Sequence, residues 1–509
     1  MIQIVWFKRD LRVEDHEALS RAAGHGPVLP LYIVEPDLWR QPDCSARQWG
    51  FCRESLAALR DALAALGQPL VIRRGDAAGV LRDLGRSHAI GAVWSHQETG
   101  NAWSFARDRA VAALLREEGI PWHQQRQHGV VRGRCDRDAW SKQWERLMAQ
   151  ARFEPPSLRP LGGIDPGILP AIPYEGFHRD ACPERQTGGR REAIDALETF
   201  LEERGERYHR EMSSPLTAGI SCSRISSHLA FGTLSMREAV QATRRRRSHV
   251  RQLATAIRGS WPRALSAFEG RLHWHCHFMQ KLESEPRIEF ENMQRSMNGL
   301  REQETDMQRL ESWMRGETGW PFVDACMRAL QQTGWLNFRM RAMLMSVASY
   351  QLWLHWRLPS LHLARLFTDY EPGIHYPQAQ MQSGTTGINS LRIYNPIKQS
   401  MEQDPDGDFI RRWLPELAGV GKAWIHTPWL MPLSGQVRSG VRIGDSYPNP
   451  LVDHEAAARR ARATIIQARR AGEARYESRK IFERHGSRRR RSDRRSSDSP
   501  QQELFGDDT

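Results

Sequence analysis

An arginine and an aspartate in the second half of the chain are the first candidates for chemistry. Arg341 lies in the apolar helical stretch RMRAMLMSVA, and Asp369 follows another helical segment in LARLFTDYEPGIH. A guanidinium surrounded by Met, Leu and Ala needs an anionic partner, because an unpaired buried charge is costly. The pair could touch a bound cofactor and set its electronics. From these residues alone, a structural ion pair is the favoured interpretation.

The segment SCSRISSHLAFGTLS (221–235) has the composition of a phosphate-binding site. Clustered hydroxyls, an arginine and backbone N–H groups entering a helix can hold a phosphate. A capped helix start has the same composition and is the simpler interpretation. The polar segment QMQSGTTGINSLRIYNP (380–396) predicts a long loop. Such loops are often functional, although an ordinary surface connection would look the same.

Two further clusters have residue types that could bind ligands. In HWHCH (273–277), only His273, Cys276 and His277 would share a helix face, and no carboxylate lies close by. We therefore favour polar residues that pack between helices and predict no metal site. The basic run RRRRSH (244–249) is typical of a solvated face, and its aromatic neighbours add weight to phosphate binding.

The composition limits the class of protein. A chain of 509 residues with 40% hydrophobic and 26% charged residues fits a globular protein of two or three domains. No stretch approaches the ~20 apolar residues that cross a bilayer. The opening MIQIVWFKRDLR fits a buried strand better than a signal peptide. Seven scattered cysteines without a Cys-x-x-Cys pair predict reduced thiols in a cytoplasm, with no zinc or iron–sulfur framework.

Charge and tryptophan content point to partners. A net charge of +13 favours a polyanionic binding partner, and nucleic acid is the first candidate. Eighteen tryptophans exceed the usual frequency. They indicate bulky packing, surfaces that stack on a base or an aromatic cofactor, or a redox chain.

Strand and helix patterns divide the chain into regions. Short apolar runs alternate with helical segments over 1–135, which predicts an α/β domain with a parallel, doubly wound, Rossmann-like sheet. No G-x-G-x-x-G follows the first run, so a standard dinucleotide site is not supported. Residues 136–192 are rich in Pro and Gly and predict an interdomain linker. Residues 193–483 predict a larger all-helical domain, and 484–509 a disordered basic tail.

Several segments, in this order, resemble the photolyase and cryptochrome flavoprotein family. VWFKRDLRVEDHEAL is similar to the family's first strand and turn, and SRISSHLAFGTLS to its flavin-phosphate segment. GETGWPFVDACMRALQQTGWLNFRMR is similar to its central block, and RIYNPIKQ with GDFIRRWLPEL to its closing block. The resemblance runs from Ile2 to about Leu417. It implies an antenna-type domain, an all-helical FAD-binding domain, and blue-light electron transfer from reduced flavin to a pyrimidine dimer flipped out of DNA.

The resemblance also implies roles for individual residues. It implies an ion pair beside the isoalloxazine for Arg341 and Asp369, and a place near the ribityl or adenine part for Glu371. Trp274 matches a tryptophan that stacks on the damaged base, and Arg339 matches a lesion or phosphate contact. The other matched positions are the FAD phosphate contacts Tyr208, Ser223, Arg224, Ile225 and Ser226, the cofactor contact Tyr370, and the DNA-side position Gln399.

Some positions depart from the family pattern. The Asn that faces the central nitrogens of the flavin is His375 here, which we group with Trp274 and Arg339 as a predicted catalytic residue. The Glu that bonds the dimer in many photolyases is Arg271, and the second stacking Trp aligns with Met381. The six-four photolyases carry two His after their G-W, where this chain reads LNFRMRA. A standard six-four site is therefore not supported, and a cyclobutane-dimer site is partly present.

The family's three-tryptophan electron-transfer chain is also incomplete. Trp356 matches its middle member, but the flavin-proximal position falls near Ala379 and the distal one in the Trp-free stretch SMNGLREQETDMQRL. We predict a broken chain, with electrons rerouted through aromatics such as Trp353, Tyr350 or Tyr376. The family's folate-contacting Asn-Glu pair falls on Trp103–Ser104, which disfavours a folate antenna. A deazaflavin, a second flavin or an empty antenna pocket remain open.

The C-terminal tail carries two features of its own. Its cationic part, from Arg484 to Arg495, favours electrostatic tethering to DNA. Beyond it, QQELF resembles the Gln-x-x-Leu-Phe peptides with which bacterial repair proteins dock onto the sliding clamp. Gln501, Leu504 and Phe505 would make that contact, and the last two are the large apolar residues of the tail.

The sequence therefore predicts a monomeric, cytoplasmic, FAD-dependent photolyase-type enzyme that splits pyrimidine dimers in DNA. The alternative is a cryptochrome-type blue-light photoreceptor without repair activity, and a third class is a flavoprotein that binds DNA without light chemistry. The altered lesion pocket favours the photoreceptor. The basic charge, Trp274 and Arg339 favour repair.

Overall fold

An α/β domain forms the N-terminal part of the protein. The structure, a computed structural model, describes residues 1–133, 135–178, 180–303, 305–470 and 472–487. The strands of this domain are β1 (Ile2–Phe7), β2 (Val28–Val34), β3 (Val71–Arg74), β4 (Ile90–His96) and β5 (Trp122–Gln125). They form one five-stranded parallel sheet in the order β3-β2-β1-β4-β5. The predicted doubly wound parallel sheet is confirmed.

Helices cover both faces of this sheet. They are α1 (Glu17–His25), α2 (Pro36–Trp39), α3 (Ala46–Ala65), α4 (Ala77–Ser87) and α5 (Ala102–Glu117). Val5 and Phe7 of β1 belong to the core that includes α1 and α3, whereas Ile4 and Trp6 belong to the core that includes α4 and α5. Because successive side chains of a strand point to opposite faces, a strand buried on both sides reads as a continuous apolar run.

Three buried polar side chains join the ends of β1 and β4. Nε2 of His16 and Nδ1 of His96 lie 3.0 and 2.8 Å from the same oxygen of Asp10. Nδ1 of His16 accepts the backbone N–H of Leu19, so the ring carries its proton on Nε2 and donates it to Asp10. These atoms lie close enough to hold a metal ion. Because both nitrogens of His16 already have hydrogen-bond partners, we interpret the cluster as structural.

Beyond the α/β domain the described secondary structure is mainly helical, as predicted for 193–483, and the described residues of 150–189 are irregular. No helix in the described residues is long and apolar enough to cross a membrane. The π-helical turns Phe200–Arg204 and Val347–Gln351 extend two of the helices. The α-helices are α6 (Arg137–Ala149), α7 (Arg190–Thr199), α8 (Tyr208–Glu211), α9 (Pro215–Ser221), α10 (Ser226–Ala230), α11 (Met236–Gln252), α12 (Thr255–Arg258), α13 (Trp261–Ser284), α14 (Met307–Arg315), α15 (Pro321–Thr333), α16 (Phe338–Ser346), α17 (Arg357–Leu366), α18 (Pro372–Ser383), α19 (Pro396–Gln403), α20 (Asp408–Trp413), α21 (Leu433–Ser439), α22 (His454–Arg470) and α23 (Gly472–His485).

Two predicted boundaries differ from the structure. The region 136–192 was predicted to be a linker, but it contains α6, which buries Trp140, Trp144 and Met148 in the helical domain. This four-residue spacing is a helical signal that the Pro- and Gly-rich sequence after it obscures. At the other end, the predicted tail begins at Arg484, but α23 continues to His485, which bonds Glu285 at 2.6 Å.

Two helices cross closely in the interior of the helical domain. Gly373, in the first turn of α18, faces Met279 of α13, and a Cβ atom at this position would lie 2.9 Å from the Cα atom of Met279. The absence of a side chain lets the two backbones approach. This crossing brings residues of α13 and α18 to the wall of one cavity, which α16 also lines.

Candidate functional site

A cavity of about 300 Å³ lies between α13, α16 and α18. Its walls are mostly apolar, as in typical small-molecule sites. The segment that links α17 to α18 closes one end and contributes three consecutive acidic or phenolic side chains. The polar and charged residues that line the cavity are Tyr208, Ser213, Ser226, Arg271, His275, Asn337, Arg339, Arg341, Asp369, Tyr370, Glu371, His375, Gln378 and Gln382.

Arg341 and Asp369 form a bidentate ion pair in the wall of this cavity. Nη1 and Nη2 of Arg341 lie 2.9 and 2.8 Å from the two carboxylate oxygens of Asp369. Nε donates to the carbonyl of Leu336 at 2.6 Å, and the guanidinium lies 4.0 Å from the ring centroid of Phe367. Each guanidinium nitrogen is therefore held, and the pair presents a fixed, oriented dipole to whatever the cavity contains.

The residues that follow Asp369 are anchored to the N-terminal domain. Arg9 donates to the carbonyl of Tyr370 at 2.6 Å and lies 3.8 Å from the carboxylate of Glu371. The hydroxyl of Tyr370 donates to Asp43 at 2.6 Å. Burial raises the pKa of Glu371 to about 7, although Arg9 acts in the opposite direction. The interface between the two domains therefore fixes this end of the cavity.

His375 lines the cavity as a neutral ring. Its Nε2 lies 2.8 Å from the carbonyl oxygen of Ser360 and 2.9 Å from the hydroxyl of the same residue. A carbonyl oxygen only accepts, so the proton is on Nε2 and Nδ1 carries a lone pair. Burial lowers the pKa of His375 to about 4. The ring is therefore a hydrogen-bond acceptor at neutral pH.

Only some of the predicted phosphate contacts line the cavity. Tyr208 and Ser226 line the cavity, and Oγ of Ser226 is buried without a partner in the described part of the chain. Ile225 is buried at the start of α10, and the carbonyl of Ser223 accepts from Arg204 at 2.9 Å.

Arg224 lies behind the cavity wall. It adopts a left-handed backbone conformation with φ 61°, and its guanidinium stacks on the ring of Trp335 at 4.0 Å. Trp335 lines the main cavity, whereas Arg224 lines a neighbouring one. The structure therefore brings Tyr208 and Ser226, but not Ser223, Arg224 or Ile225, directly to the main cavity.

Two residues predicted to face DNA, Trp274 and Gln399, lie outside the cavity lining. Arg339 lines the cavity, but Gln399 is 3% exposed and its Oε1 accepts from Arg339 at 3.4 Å. Gln399 therefore holds Arg339 and does not form a DNA surface. Trp274 does not belong to the cavity lining and instead stacks on Phe278, with ring centroids 5.6 Å apart. Sequence position alone could not show which face of α13 carries it.

The predicted electron-transfer tryptophans are both outside the cavity wall. Trp356 is fully buried and donates its Nε1–H to Asn292 at 2.7 Å. Trp353 has a left-handed backbone with φ 57°, and its ring lies 4.7 Å from the guanidinium of Arg301. Ala379, the match to the flavin-proximal tryptophan, does line the cavity.

The remaining clusters have partners within the protein. His273 contacts the hydroxyl of Ser141 at 3.1 Å, and His277 contacts Arg137 at 2.6 Å, so HWHCH packs α13 against α6. In the basic run, Arg244 pairs with Glu145 and Glu269, and Arg247 also pairs with Glu269. These paired arginines are less available to phosphates than the sequence suggests.

Sequence reasoning missed the polar face of α18. Gln378 and Gln382 line the cavity, as does His275 of α13. Gln378 and Gln382 follow His375 at spacings of three and seven residues, which is the helical pattern for one face. Extending that pattern along α18 would have found them, but the segment from 380 was interpreted as a loop.

Comparisons with known proteins decide the family. A family model described as the FAD binding domain of DNA photolyase matches residues 268–467, and one described as DNA photolyase matches residues 3–136. A cryptochrome DASH from Gloeobacter violaceus is 30% identical over 96% of this chain and 97% of its own length. The chain belongs to the DNA photolyase and cryptochrome family.

Other relatives of this photolyase-family protein include both branches. A deoxyribodipyrimidine photo-lyase from Agrobacterium fabrum is 29% identical over 92% of this chain and 98% of its own length. The crystal structure of a class III photolyase from Agrobacterium tumefaciens matches with a TM-score of 0.80 at 28% identity, covering 92% of this chain and 98% of that one. An archaeal photolyase from Sulfolobus tokodaii with two FAD molecules shares the fold, with a TM-score of 0.73 at 24% identity.

FAD is the cofactor of this photolyase-family protein, and the cavity residues fit it. The cavity combines apolar walls with a bidentate ion pair and with buried polar atoms that have no partner among the described residues, including Oγ of Ser226 and Nδ1 of His275. A flavin offers both an apolar ring system and polar edges. Such a ligand would satisfy these atoms, which native interiors rarely leave unpaired.

Proposed function

We propose that this protein is a light-driven DNA-repair enzyme that splits pyrimidine dimers. The observation that carries the proposal is the cationic wall of the FAD cavity. Arg271 and Arg339 both line it, and Arg271 has no carboxylate partner among the described residues. A cationic cavity suits a nucleotide that brings its phosphates, and it adds to the net charge of +13.

The chain's own residues would hold and orient the cofactor. Bound reduced FAD supplies the light-driven electron. Arg341 and Asp369 would orient its ring system, Tyr208 and Ser226 would contact its polar parts, and Nδ1 of His375 could accept a hydrogen bond from it. Tyr370 and Glu371 close that end of the site and exclude water.

Arg339 would contact the dimer or its phosphates. Gln399 holds the guanidinium through its amide oxygen, so it acts as a positioning residue. Arg271 stands where many relatives have an acidic dimer contact, and it would replace a hydrogen-bond acceptor by a cationic donor. The site would therefore favour dimers whose exposed groups are carbonyl oxygens or phosphates.

The test is repair of a defined substrate. Purified, chemically reduced protein is mixed with an oligonucleotide that contains one thymine dimer, exposed to blue light, and assayed for restored thymines by chromatography. Light-dependent restoration that falls in Arg339→Gln but not in the exposed control Arg86→Gln supports repair. No restoration, with tight flavin binding and a light-induced change in the protein, supports the cryptochrome-type photoreceptor, which the substitution by Arg271 favours.

Binding to DNA should depend steeply on salt. Each phosphate neutralised on duplex DNA contributes a slope of about −0.9 to a plot of log affinity against log salt. The dark-state affinity for a dimer-containing duplex is measured between low and high salt, and Arg339→Gln should reduce the slope by about one contact. An affinity that does not change with salt would reject phosphate-dominated binding.

We further propose that the protein acts as a cytoplasmic monomer that docks on a sliding clamp. All seven cysteines are free thiols, which a reducing cytoplasm would maintain. The clamp-binding residues Gln501, Leu504 and Phe505 lie outside the described residues. A peptide of residues 496–509 is titrated against a bacterial sliding clamp by fluorescence anisotropy, and binding unchanged by Leu504→Ala with Phe505→Ala would reject the contact. Light scattering of the full chain tests the monomer.

A further inference from the structure

Two glutamines of α18 face the FAD cavity without hydrogen-bond partners. Gln378 and Gln382 are four residues apart, so their side chains lie next to each other on one helix face. Both residues line the cavity, and Oε1 and Nε2 of each are buried with no partner among the described residues. Gln382 is only 2% exposed. Two complete carboxamide groups therefore point to a ligand that can both accept and donate.

A third glutamine of the same helix shows what a structural amide looks like here. Gln380 is fully buried, and its Nε2 donates to the carbonyls of Ile288 and Glu291 at 2.8 and 2.7 Å. Its Oε1 accepts the backbone N–H of Met293 at 2.6 Å. The fold thus satisfies a buried amide where that amide has a structural role. The two cavity-facing amides differ from it in having no such partners among the described residues.

The surroundings of the two amides indicate a flat ring. Ala379 lies between them in the sequence, and Ala342 and Met345 of α16 line the same cavity. The short side chains of the two alanines leave room for a planar ring, Met345 adds an apolar contact, and the amides offer neutral donors and acceptors at the edge of the ring. A neutral edge that alternates C=O, N–H and C=O, an imide, matches carboxamides without a cost in buried charge.

We propose that Gln378 and Gln382 bind the imide edge of a pyrimidine ring. The inference rests on the proposed function, which brings two such edges to the cavity: that of the flavin ring system and that of a thymine in the dimer. Both have the same chemistry, and the amides would select for it by donating to a carbonyl oxygen and accepting from the imide N–H. A ligand without that N–H would leave a buried amide oxygen unpaired. The cost of this unpaired oxygen discriminates against such a ligand more strongly than the loss of an apolar contact would.

Methylation of the imide nitrogen tests the proposal in the wild-type protein. In one arm, flavin-free protein is titrated with FAD and with N3-methyl FAD. In the other arm, FAD-loaded protein is titrated in the dark with oligonucleotides that contain a thymine dimer or an N3-methylthymine dimer. We expect methylation to weaken one of the two affinities about tenfold, as loss of one buried hydrogen bond does.

Substitution of Gln378 and Gln382 tests whether these two amides cause the loss of affinity for the methylated ligand. Gln378→Met and Gln382→Met keep the length of the side chain and remove its hydrogen bonds, and the exposed Gln332→Met is the matched control. The two variants should no longer distinguish methylated from unmethylated ligand, while Gln332→Met should distinguish them as the wild type does. If the variants lose discrimination in the flavin arm, the amides bind the imide edge of the cofactor. If they lose it in the dimer arm, the amides bind the imide edge of the substrate.

The outcomes separate this inference from the proposed function. Wild-type protein that binds FAD and dimers but treats methylated and unmethylated ligands alike overturns the amide proposal only. Wild-type protein that binds neither overturns both. If one variant does not fold, the other variant and the wild-type titrations still decide, because methylation requires no substitution.

Discussion

The two domains each contain a cavity, and the two cavities differ in how their polar groups are satisfied. The N-terminal cavity, of about 70 Å³, is bordered by Lys8, Glu35, Glu98 and Arg107. Arg107 lies 3.0 Å from Glu35 and 2.6 Å from Glu98, and Lys8 lies 3.2 Å from Asp108. The helical cavity is about 300 Å³ and keeps amide, hydroxyl and imidazole atoms without partners among the described residues.

This difference distinguishes a cavity with a structural role from a cavity that binds a ligand. A cavity whose charges neutralise one another is complete without a ligand, and its volume lies below the 300–1,000 Å³ of typical ligand pockets. A cavity with oriented but unsatisfied groups is prepared for one. We therefore expect FAD in the helical domain and a structural role for the N-terminal ion cluster.

Removal of Arg107 should have the largest effect on stability. Arg107→Met leaves Glu35 and Glu98 without their closest cation, and breaking a buried pair costs about 3–5 kcal/mol. The free energy of unfolding is measured by urea titration, together with flavin absorbance per folded chain. Stability should fall while flavin content stays the same. Arg86→Met, which breaks an exposed pair with Asp83, should cost below about 1 kcal/mol. A loss of flavin at unchanged stability in Arg107→Met would reverse the two assignments.

Removal of Asp369 should act on the flavin. Asp369→Ala strands Arg341, whose side chain is 24% exposed, so the cost should lie near the lower end of about 3–5 kcal/mol. Purified variant protein should lose FAD, measured by absorbance and by thermal melting with added FAD. A yellow protein with unchanged melting would show that the pair does not hold the cofactor.

His375 of the helical cavity and Glu35 of the N-terminal cavity should contribute to stability with opposite pH dependence. The pKa of His375 is lowered to about 4, so its contribution to stability is complete above pH 6.5 and is lost as pH falls towards 4. The pKa of Glu35 is raised to about 7 by burial, so its contribution is complete below pH 4.5 and is lost as pH rises through 7.

Urea unfolding between pH 4 and 8 measures both contributions. His375→Gln should reduce the loss of stability on the acid side, and Glu35→Gln should reduce the loss towards pH 7 and above. Glutamine has nearly the same shape as Glu35, and at position 375 it keeps a neutral hydrogen-bonding group. Equal pH profiles for the wild type and both variants would contradict the assigned protonation states.

Flavin stoichiometry compares the cavities directly. The small, self-neutralised N-terminal cavity predicts one FAD per chain, with no second flavin as antenna. The ratio of flavin absorbance to protein concentration after reconstitution with excess FAD measures this. A ratio near two would show that the N-terminal cavity opens to a chromophore.

The smallest effect is expected for Trp356. Because Ala379 occupies the cavity wall where a flavin-proximal tryptophan would be, Trp356→Phe should leave the rate of FAD photoreduction close to that of the wild type. Transient absorption should instead detect radicals on Trp353, Tyr350 or Tyr376. The prediction is wrong if a tryptophan radical forms fast, disappears in Trp356→Phe, and still forms when Trp353, Tyr350 and Tyr376 are all replaced. Electrons would then pass through Trp356, as in the family's usual chain.

The sequence was sufficient for the architecture and for the central ion pair. Continuous apolar runs predicted the parallel sheet, because strands buried on both faces have no polar alternation. Arg341 and Asp369 were found because a charge in an apolar helix requires a partner. In contrast, α6 was missed because a Pro- and Gly-rich stretch follows its regular tryptophan spacing.

The direction of a side chain is what sequence position alone does not give. Gln399 and Trp274 match DNA-side positions in sequence, but the first bonds Arg339 and the second packs on Phe278. The unpartnered state of Gln378 and Gln382, next to the satisfied Gln380, depends on contacts with segments far away in the chain. Such contacts are not encoded in local spacing.

A crystal structure of the protein reconstituted with FAD would show which cavity binds the flavin. We expect one FAD in the helical cavity, with its ring system against the Arg341–Asp369 pair and with hydrogen bonds to Ser226 and His375. We also expect an N-terminal ion cluster that is unchanged around Arg107. Flavin density in the N-terminal cavity, or in the helical domain away from the Arg341–Asp369 pair, would contradict this expectation.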